Sequence, residues 1–215
     1  VGSIMDVLVK WLQPGKSTTL TAEDKNIYPA AELKDDLVDI QEVASTSNPV
    51  VYIPTRDIDY KVGMTIPGRP ISDGFELLDF IRGIREQIWH PLNEYKGVIF
   101  PKVSLDQQPD IRWLERMIYE RPDDPADPGW IIEKAMQQTK FRMNEIGAHA
   151  ESAVGMVILA LGGSGYRPPY TIDRPFVTWI ERGDISLPLF AGYIDYSDWK
   201  DPGSLENEQL NHTRS

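Results

Sequence analysis

Two apolar runs near the C-terminal end, residues 176–181 and 187–194, constrain this chain more than any other feature. They flank the turn-like segment Arg182-Gly183-Asp184-Ile185-Ser186, and the pattern reads as a β-hairpin with a slightly long turn. Neither run alternates apolar with polar residues, as a strand wetted on one face does. Both faces therefore need cover, and the hairpin is expected in the middle of a core, with Phe176 and Phe190 among its anchors.

A chain of 215 residues suffices for one domain or a large piece of one, and 41% hydrophobic with 26% charged residues is the balance of a folded protein. The net charge of −11 opposes binding to phosphate backbones, so no nucleic-acid partner is expected, and no basic face points to a membrane surface. With no cysteine, disulfides and thiolate metal sites are excluded. The longest apolar run, residues 153–161, is interrupted by Gly155 and is far short of the roughly 20 residues a membrane helix needs. Residues 1–10 show no charged leader followed by a long apolar stretch, and Val1 in place of Met raises the expectation of an upstream portion, with Met5 as the alternative start.

Residues 1–50 read weakly, as short strands and exposed turns. Beyond them, 50–53 is a β-type run closed by Pro54, and 62–66 is a second one ending in the turn Pro67-Gly68-Arg69-Pro70. Asp73 precedes Glu76 by a capping-box spacing, and Leu77, Ile81, Ile84 and Ile88 follow at helical spacing, which predicts a helix over 74–89. Residues 97–105 (GVIFPKVSL) form a strand whose Pro101 points to an edge or a bulge. Residues 111–119 have a helical face of Ile111, Leu114 and Ile118, and 121–129 is an acidic, proline-rich loop. Residues 131–144 fit helix or strand, with 139–144 alternating as a half-buried strand does. A polar tail is expected from Trp199 onward.

Several residue groups invite chemical readings. Gly15-Lys16-Ser17 ends like a phosphate-binding loop, but Lys10 stands where that motif needs its first glycine. Ser164 lies in a glycine cluster, yet Tyr166 occupies the glycine position of a nucleophile elbow. His149 and Asp173 are the residues that would complete a triad around Ser164, which keeps a serine hydrolase as the rival reading. His90, His149 and His212 are dispersed without metal-ligand spacing, and His90 reads as an exposed helix-end residue, so no metal and no cofactor is expected. Asn211-His212-Thr213 is an N-glycosylation sequon. The stretch 144–161 is small-residue-rich and proline-free. As a strand it puts Ala148, Ala150, Ser152 and Val154 on one face and His149 and Glu151 on the other, while its Ala and Glu content on its own favours a core helix.

Three separated segments together resemble the serpin family. Residues 66–105 (IPGRPISDGFELLDFI…GVIFPKVSL) resemble the serpin succession of strand, turn, short helix and a strand carrying Pro-Lys. Residues 144–153 (NEIGAHAESA) resemble the hinge, and 173–192 (DRPFVTWIERGDISLPLFAG) resemble the C-terminal signature. The resemblance covers about residues 50–196 and is weak over the first 50.

The resemblance implies an α+β fold, namely a serpin-like C-terminal portion made mainly of antiparallel β-sheets with a few helices and an exposed reactive loop. It divides the chain into an N-terminal part of the serpin-like region (1–50), the C-terminal half of the serpin fold (51–196) and a polar tail (197–215). It implies a serine-protease inhibitor and not an enzyme: the loop after the hinge is bait, and cleavage lets the hinge insert into a sheet. The hinge is carried over to Gly147, Ala148, Ala150, Ser152 and Ala153; Ala148 stands where the family often has Thr or Ser, and Glu151 where it has a small residue. Counting forward from Gly147 places the scissile bond at Leu161-Gly162, and counting back from Pro175 places it near Ser164. Leu161 suits a chymotrypsin- or elastase-like protease; Arg167 is the trypsin-type alternative, but Pro168 follows it. The family's domain is much longer than this chain, so trapping by this chain alone is not expected, and a non-inhibitory serpin-like binding protein is the intermediate reading. An extracellular setting follows from the resemblance, with a cytoplasmic one also compatible.

Overall fold

In the computed structural model, the structure describes residues 10–107, 112, 115–119, 130–133, 139–147 and 167–203. Two units are distinguished, one formed by Val1–Ser104 with Arg142–Ser215 and the other by Leu105–Phe141.

The first unit begins with a hairpin of β1 (Lys16–Thr21) and β2 (Ile27–Leu33), paired antiparallel from Lys16↔Glu32 to Thr21↔Ile27. Then come β3 (Asp39–Val43), β4 (Val50–Pro54), β5 (Tyr60–Thr65), the helix α1 (Gly74–Arg85), β6 (Trp89–Pro91), β7 (Val98–Pro101) and β8 (Val103–Gln107). The strand β8 runs on into the second unit. That unit contains the short antiparallel pair β9 (Ile118–Tyr119) and β10 (Trp130–Ile131). The chain leaves it through β11 (Thr139–Met143), which forms a two-stranded sheet with β8. The elements β12 (Tyr170–Thr171), β13 (Phe176–Arg182) and β14 (Phe190–Ile194) complete the first unit.

Six strands form one antiparallel sheet in the order β14-β13-β5-β4-β3-β6. Register puts Tyr52, Gly63 and Trp179 on one face and Val51, Met64 and Thr178 on the other. Both faces are buried at these positions, as the unbroken apolar runs require. The helix seals the first face: Leu77, Ile81 and Ile84 pack into a core with Val43, Val50, Tyr52, Val177 and Trp179. Asp73 caps it, its carboxylate accepting from the N–H groups of Phe75 and Glu76 at 2.9 Å. A second sheet, β1-β2-β7-β12, is antiparallel except for the parallel pair β7 and β12.

The expected hairpin is present, pairing Phe176↔Ile194 through Ile180↔Phe190. Its two arms differ in burial. The strand β13 is central and buried, whereas β14 is an edge strand, half-buried apart from Ile194, and Leu187 lies outside it, exposed. An apolar run therefore marks the strand without fixing its place in the sheet. The strands read at 50–53 and 62–66 correspond to β4 and β5, and the alternating 139–144 to β11.

Other expectations are corrected. The helix stops at Arg85, Ile88 is 82% exposed, and Trp89–Pro91 forms the edge strand β6 against β3. Ladder pairing there outweighs another helical turn running toward Pro91. His90 is accordingly an exposed strand residue opposite Glu42, not a helix cap. Pro101 closes β7, an inner strand of its sheet, but β12 pairs only Val98 and Ile99, so at the proline the strand is partnered on the β2 side alone, in keeping with the expected edge. Ile118 and Tyr119 are strand, not helix, while Ile111, Leu114 and the loop 121–129 lie outside the described residues. Trp199 is not the start of a polar tail. It is 2% exposed and packs on Tyr28, Tyr196 and Phe176.

Candidate functional site

Gly147 is the one hinge residue within the described residues. Ala148, Ala150, Ser152, Ala153, Leu161, Gly162 and Ser164 lie outside them, as do His149 and the sequon. The structure nevertheless shows how the chain is held on both sides of the segment 148–166.

On the upstream side the backbone closes a tight turn. Asn144 N–H donates to Gly147 O (3.3 Å) and Gly147 N–H to Asn144 O (3.4 Å), while Ile146 N–H donates to the Asn144 side-chain oxygen (2.9 Å). Gly147 takes φ +112°, a conformation glycine reaches freely and L-residues with a Cβ do not. The turn is pinned from outside. The Trp11 indole N–H donates to Asn144 O (2.9 Å), and Gly15 N–H donates to Glu145 O (2.6 Å). Lys10 forms an isolated bridge to Gly147. Gly15, read from sequence only as the end of a failed phosphate motif, thus serves as a close-contact donor.

Beneath the turn lies a buried cation. Lys102 follows Pro101 directly, so β7 and β8 deliver its side chain into the interior, where it is 6% exposed. Its ammonium stands 2.7 Å from Asp201 Oδ2 and donates to it. It is also 2.9 Å from Glu145 Oε2, a second ion pair. Burial pulls the Lys102 pKa down, but the bonds and charges of Asp201 and Glu145 outweigh it and leave the group above lysine's ordinary range. The Asp201 carboxyl is held below its ordinary 3.8, first by the Lys102 hydrogen bond.

These shifts set a pH dependence. A depressed carboxyl contributes stability that is present above its unfolded value and is lost as pH falls through the folded one. The difference in urea midpoint between the wild type and Asp201→Asn is therefore expected to be constant near neutrality. It should shrink once pH drops below 3.8 toward the lowered folded value. A difference that stays constant through that range contradicts the ion pair.

On the downstream side, Arg167 donates from Nη1 to Asn93 O (2.6 Å) and Lys96 N–H donates to Pro168 O (3.0 Å). Tyr170 N–H reaches Gly97 O and Ile172 N–H reaches Ile99 O, each at 2.9 Å. Tyr170 itself is buried edge-on to Tyr95, its phenol pushed up by burial. Tyr170 is thus a buried residue of the strand that fixes the downstream side.

For the rival triad, Asp173 is engaged by its neighbour: Arg174 Nε donates to Asp173 Oδ1 at 3.0 Å. Among the described residues no cluster of three His, Cys, Asp or Glu is placed to hold a metal, and no helix is long and apolar enough to cross a membrane. The contacts of Lys102, Glu145, Trp11 and Asp201 were not anticipated from sequence. The available signal was a lone lysine inside the apolar stretch GVIFPKVSL, a charge whose burial demands a partner.

No family model matches the chain. Alpha-2-antiplasmin of Mus musculus is 24% identical over 118 residues, which is 51% of this chain and 23% of that protein. Three solved structures each align with 86% of the chain. They are protease nexin-1 crystallised with heparin (17% identity, TM-score 0.53), a serpin of the insect Tenebrio molitor (13%, 0.52) and a serpin of the trematode Schistosoma haematobium (13%, 0.54). The fold is thus serpin-like, α+β and mainly antiparallel. The chain spans 52–54% of the length of these structures and under a quarter of the curated relative.

Proposed function

We propose, from the serpin-like fold, that this chain is the loop-bearing part of a protease-binding module. In this reading, segment 148–166 is bait for a serine endopeptidase with a chymotrypsin- or elastase-like pocket, and Leu161-Gly162 is the scissile bond. The observation that carries the reading is the asymmetric tethering. The chain is pinned at Asn144, Glu145 and Gly147 and is held again from Arg167 and Pro168 into β12. Such an arrangement fixes both ends of the segment proposed as bait. No residue of this chain is assigned a catalytic role, and the setting proposed is extracellular.

Trapping asks for more than a cleavable loop. Ordering the hinge as a strand costs roughly 1–2 kcal/mol per residue in backbone entropy, which ladder bonds and burial on both flanks must offset. One flank is β11; the other belongs, in the family, to the part of the fold that this chain does not span. Incubation with chymotrypsin and with elastase, followed by denaturing electrophoresis and mass spectrometry, is expected to show cleavage near Leu161 with no durable adduct. An adduct that survives denaturation would overturn the substrate-like behaviour, and resistance to both proteases would overturn the bait reading.

A further inference from the structure

The turn between β13 and β14 reads Arg182-Gly183-Asp184, and the β4–β5 turn beside it supplies Asp57, Asp59 and Tyr60; together they line a shallow cavity of about 450 Å³. Gly183 and Asp184 are exposed, and a Cβ placed on Gly183 would meet nothing. The tip is braced from behind. Gly183 N–H donates to Asp59 O (3.1 Å), Ile185 N–H donates to Arg182 O (3.2 Å), and the Arg85 guanidinium donates to the carbonyls of Ile185 (3.3 Å) and Ser186. Arg182 lies over the Tyr60 ring, 6.0 Å from its centre, and pairs with both Asp184 oxygens at 2.5 and 3.0 Å.

A guanidinium and a carboxylate thus flank a bare glycine at the head of a rigid hairpin, and neither group serves the core. A carboxylate is a hard oxygen donor suited to a divalent cation. A guanidinium presents a planar fork that a carboxylate-lined slot reads. The open face of Gly183 admits close backbone approach, and the bracing lowers the ordering cost of docking. The pair that Arg182 and Asp184 make with each other lies at the surface, with side chains 34% and 67% exposed, and is screened by salt, so it is a weak competitor for a partner.

We propose that this tip is a recognition site for a cell-surface receptor that takes the Asp184 carboxylate as a ligand of its own bound divalent cation and the Arg182 guanidinium in an acidic slot. The site is independent of the bait segment but rests on the extracellular setting proposed above. The test immobilises the whole chain and measures binding of an integrin ectodomain of the Arg-Gly-Asp-reading class in Mn²⁺ and in EDTA. Saturable binding in Mn²⁺, abolished by EDTA and competed by a short Arg-Gly-Asp peptide, is expected. Asp184→Glu, which keeps the charge but moves the carboxylate, is expected to weaken binding by about tenfold or more at unchanged melting temperature. Absence of Mn²⁺-dependent binding overturns the proposal, and so does binding that Asp184→Glu leaves intact.

Discussion

Replacing Trp179 by alanine is expected to lower the unfolding free energy by about 3–5 kcal/mol, the range for deleting a large buried aromatic. Trp179 is fully buried on the face of β13 that α1 covers, edge-on to Tyr52 at 5.8 Å. Its indole N–H donates at 3.2 Å to Glu181, a buried carboxylate that also holds Lys61 (2.7 Å) and Arg85 (3.1 Å). Truncation removes the ring and this donor together. Gly63 explains why the ring fits: it sits opposite Trp179 in β5, and a Cβ there would lie 2.2 Å from the indole. Gly63→Ala is therefore also destabilising, through overpacking of about 1–3 kcal/mol. In the double variant the lost ring makes room for the methyl, so the two costs are expected to add to less than their sum. Urea unfolding of the four proteins checks this. Additive costs would mean that the indole and Gly63 do not share the contact described.

The central strands were legible because burial on both faces writes itself into local composition. The runs at 50–53 and 176–180 contain nothing but apolar and β-branched residues, and only a covered sheet accommodates them. The start of α1 was legible for a similar reason: an N-cap aspartate and the Leu77, Ile81, Ile84 stripe are short-range signals. Its end was not. Ile88 continues the helical spacing, but what stops the helix is the pairing of Trp89–Pro91 with β3, a partner more than forty residues away. Trp199 was misplaced because the polar residues after it dominate the composition there, while its burial depends on Tyr28 and Phe176, remote in sequence. The tethering of Gly147 shows the same division. The glycine was marked by its small-residue neighbourhood, whereas the indole of Trp11 and the ammonium of Lys102 reach the turn only after folding.

Reversing the charge at Glu145 is expected to have the second large effect, about 3–5 kcal/mol, the range for stranding a buried charge. Lys102 is taken almost completely out of water, and its desolvation is tolerated because two carboxylates face it. Asp201 is half-exposed and can turn to solvent, whereas the Glu145 side chain is 19% exposed and cannot do so as readily. Glu145→Lys replaces the more enclosed partner by a like charge at a distance where repulsion is poorly screened. Glu145→Gln keeps the shape and an acceptor and leaves Asp201 to balance Lys102, so its cost is expected to be smaller. Lys102→Met fills the same space with an apolar chain and lets Asp201 hydrate, which places it between the two. The consequence should extend to the loop. The carbonyl of Glu145 is the acceptor for Gly15, and Asn144 beside it is the acceptor for Trp11, so loosening the turn frees the chain before Gly147. Chemical denaturation should rank the variants Gln, Met, Lys in order of increasing loss. Limited proteolysis, read by mass spectrometry, should show faster cleavage within 148–166 for Glu145→Lys. A Glu145→Lys protein as stable as the wild type, nicked at the same rate, would show that Lys102 does not depend on Glu145 and that the turn is held by its backbone bonds alone.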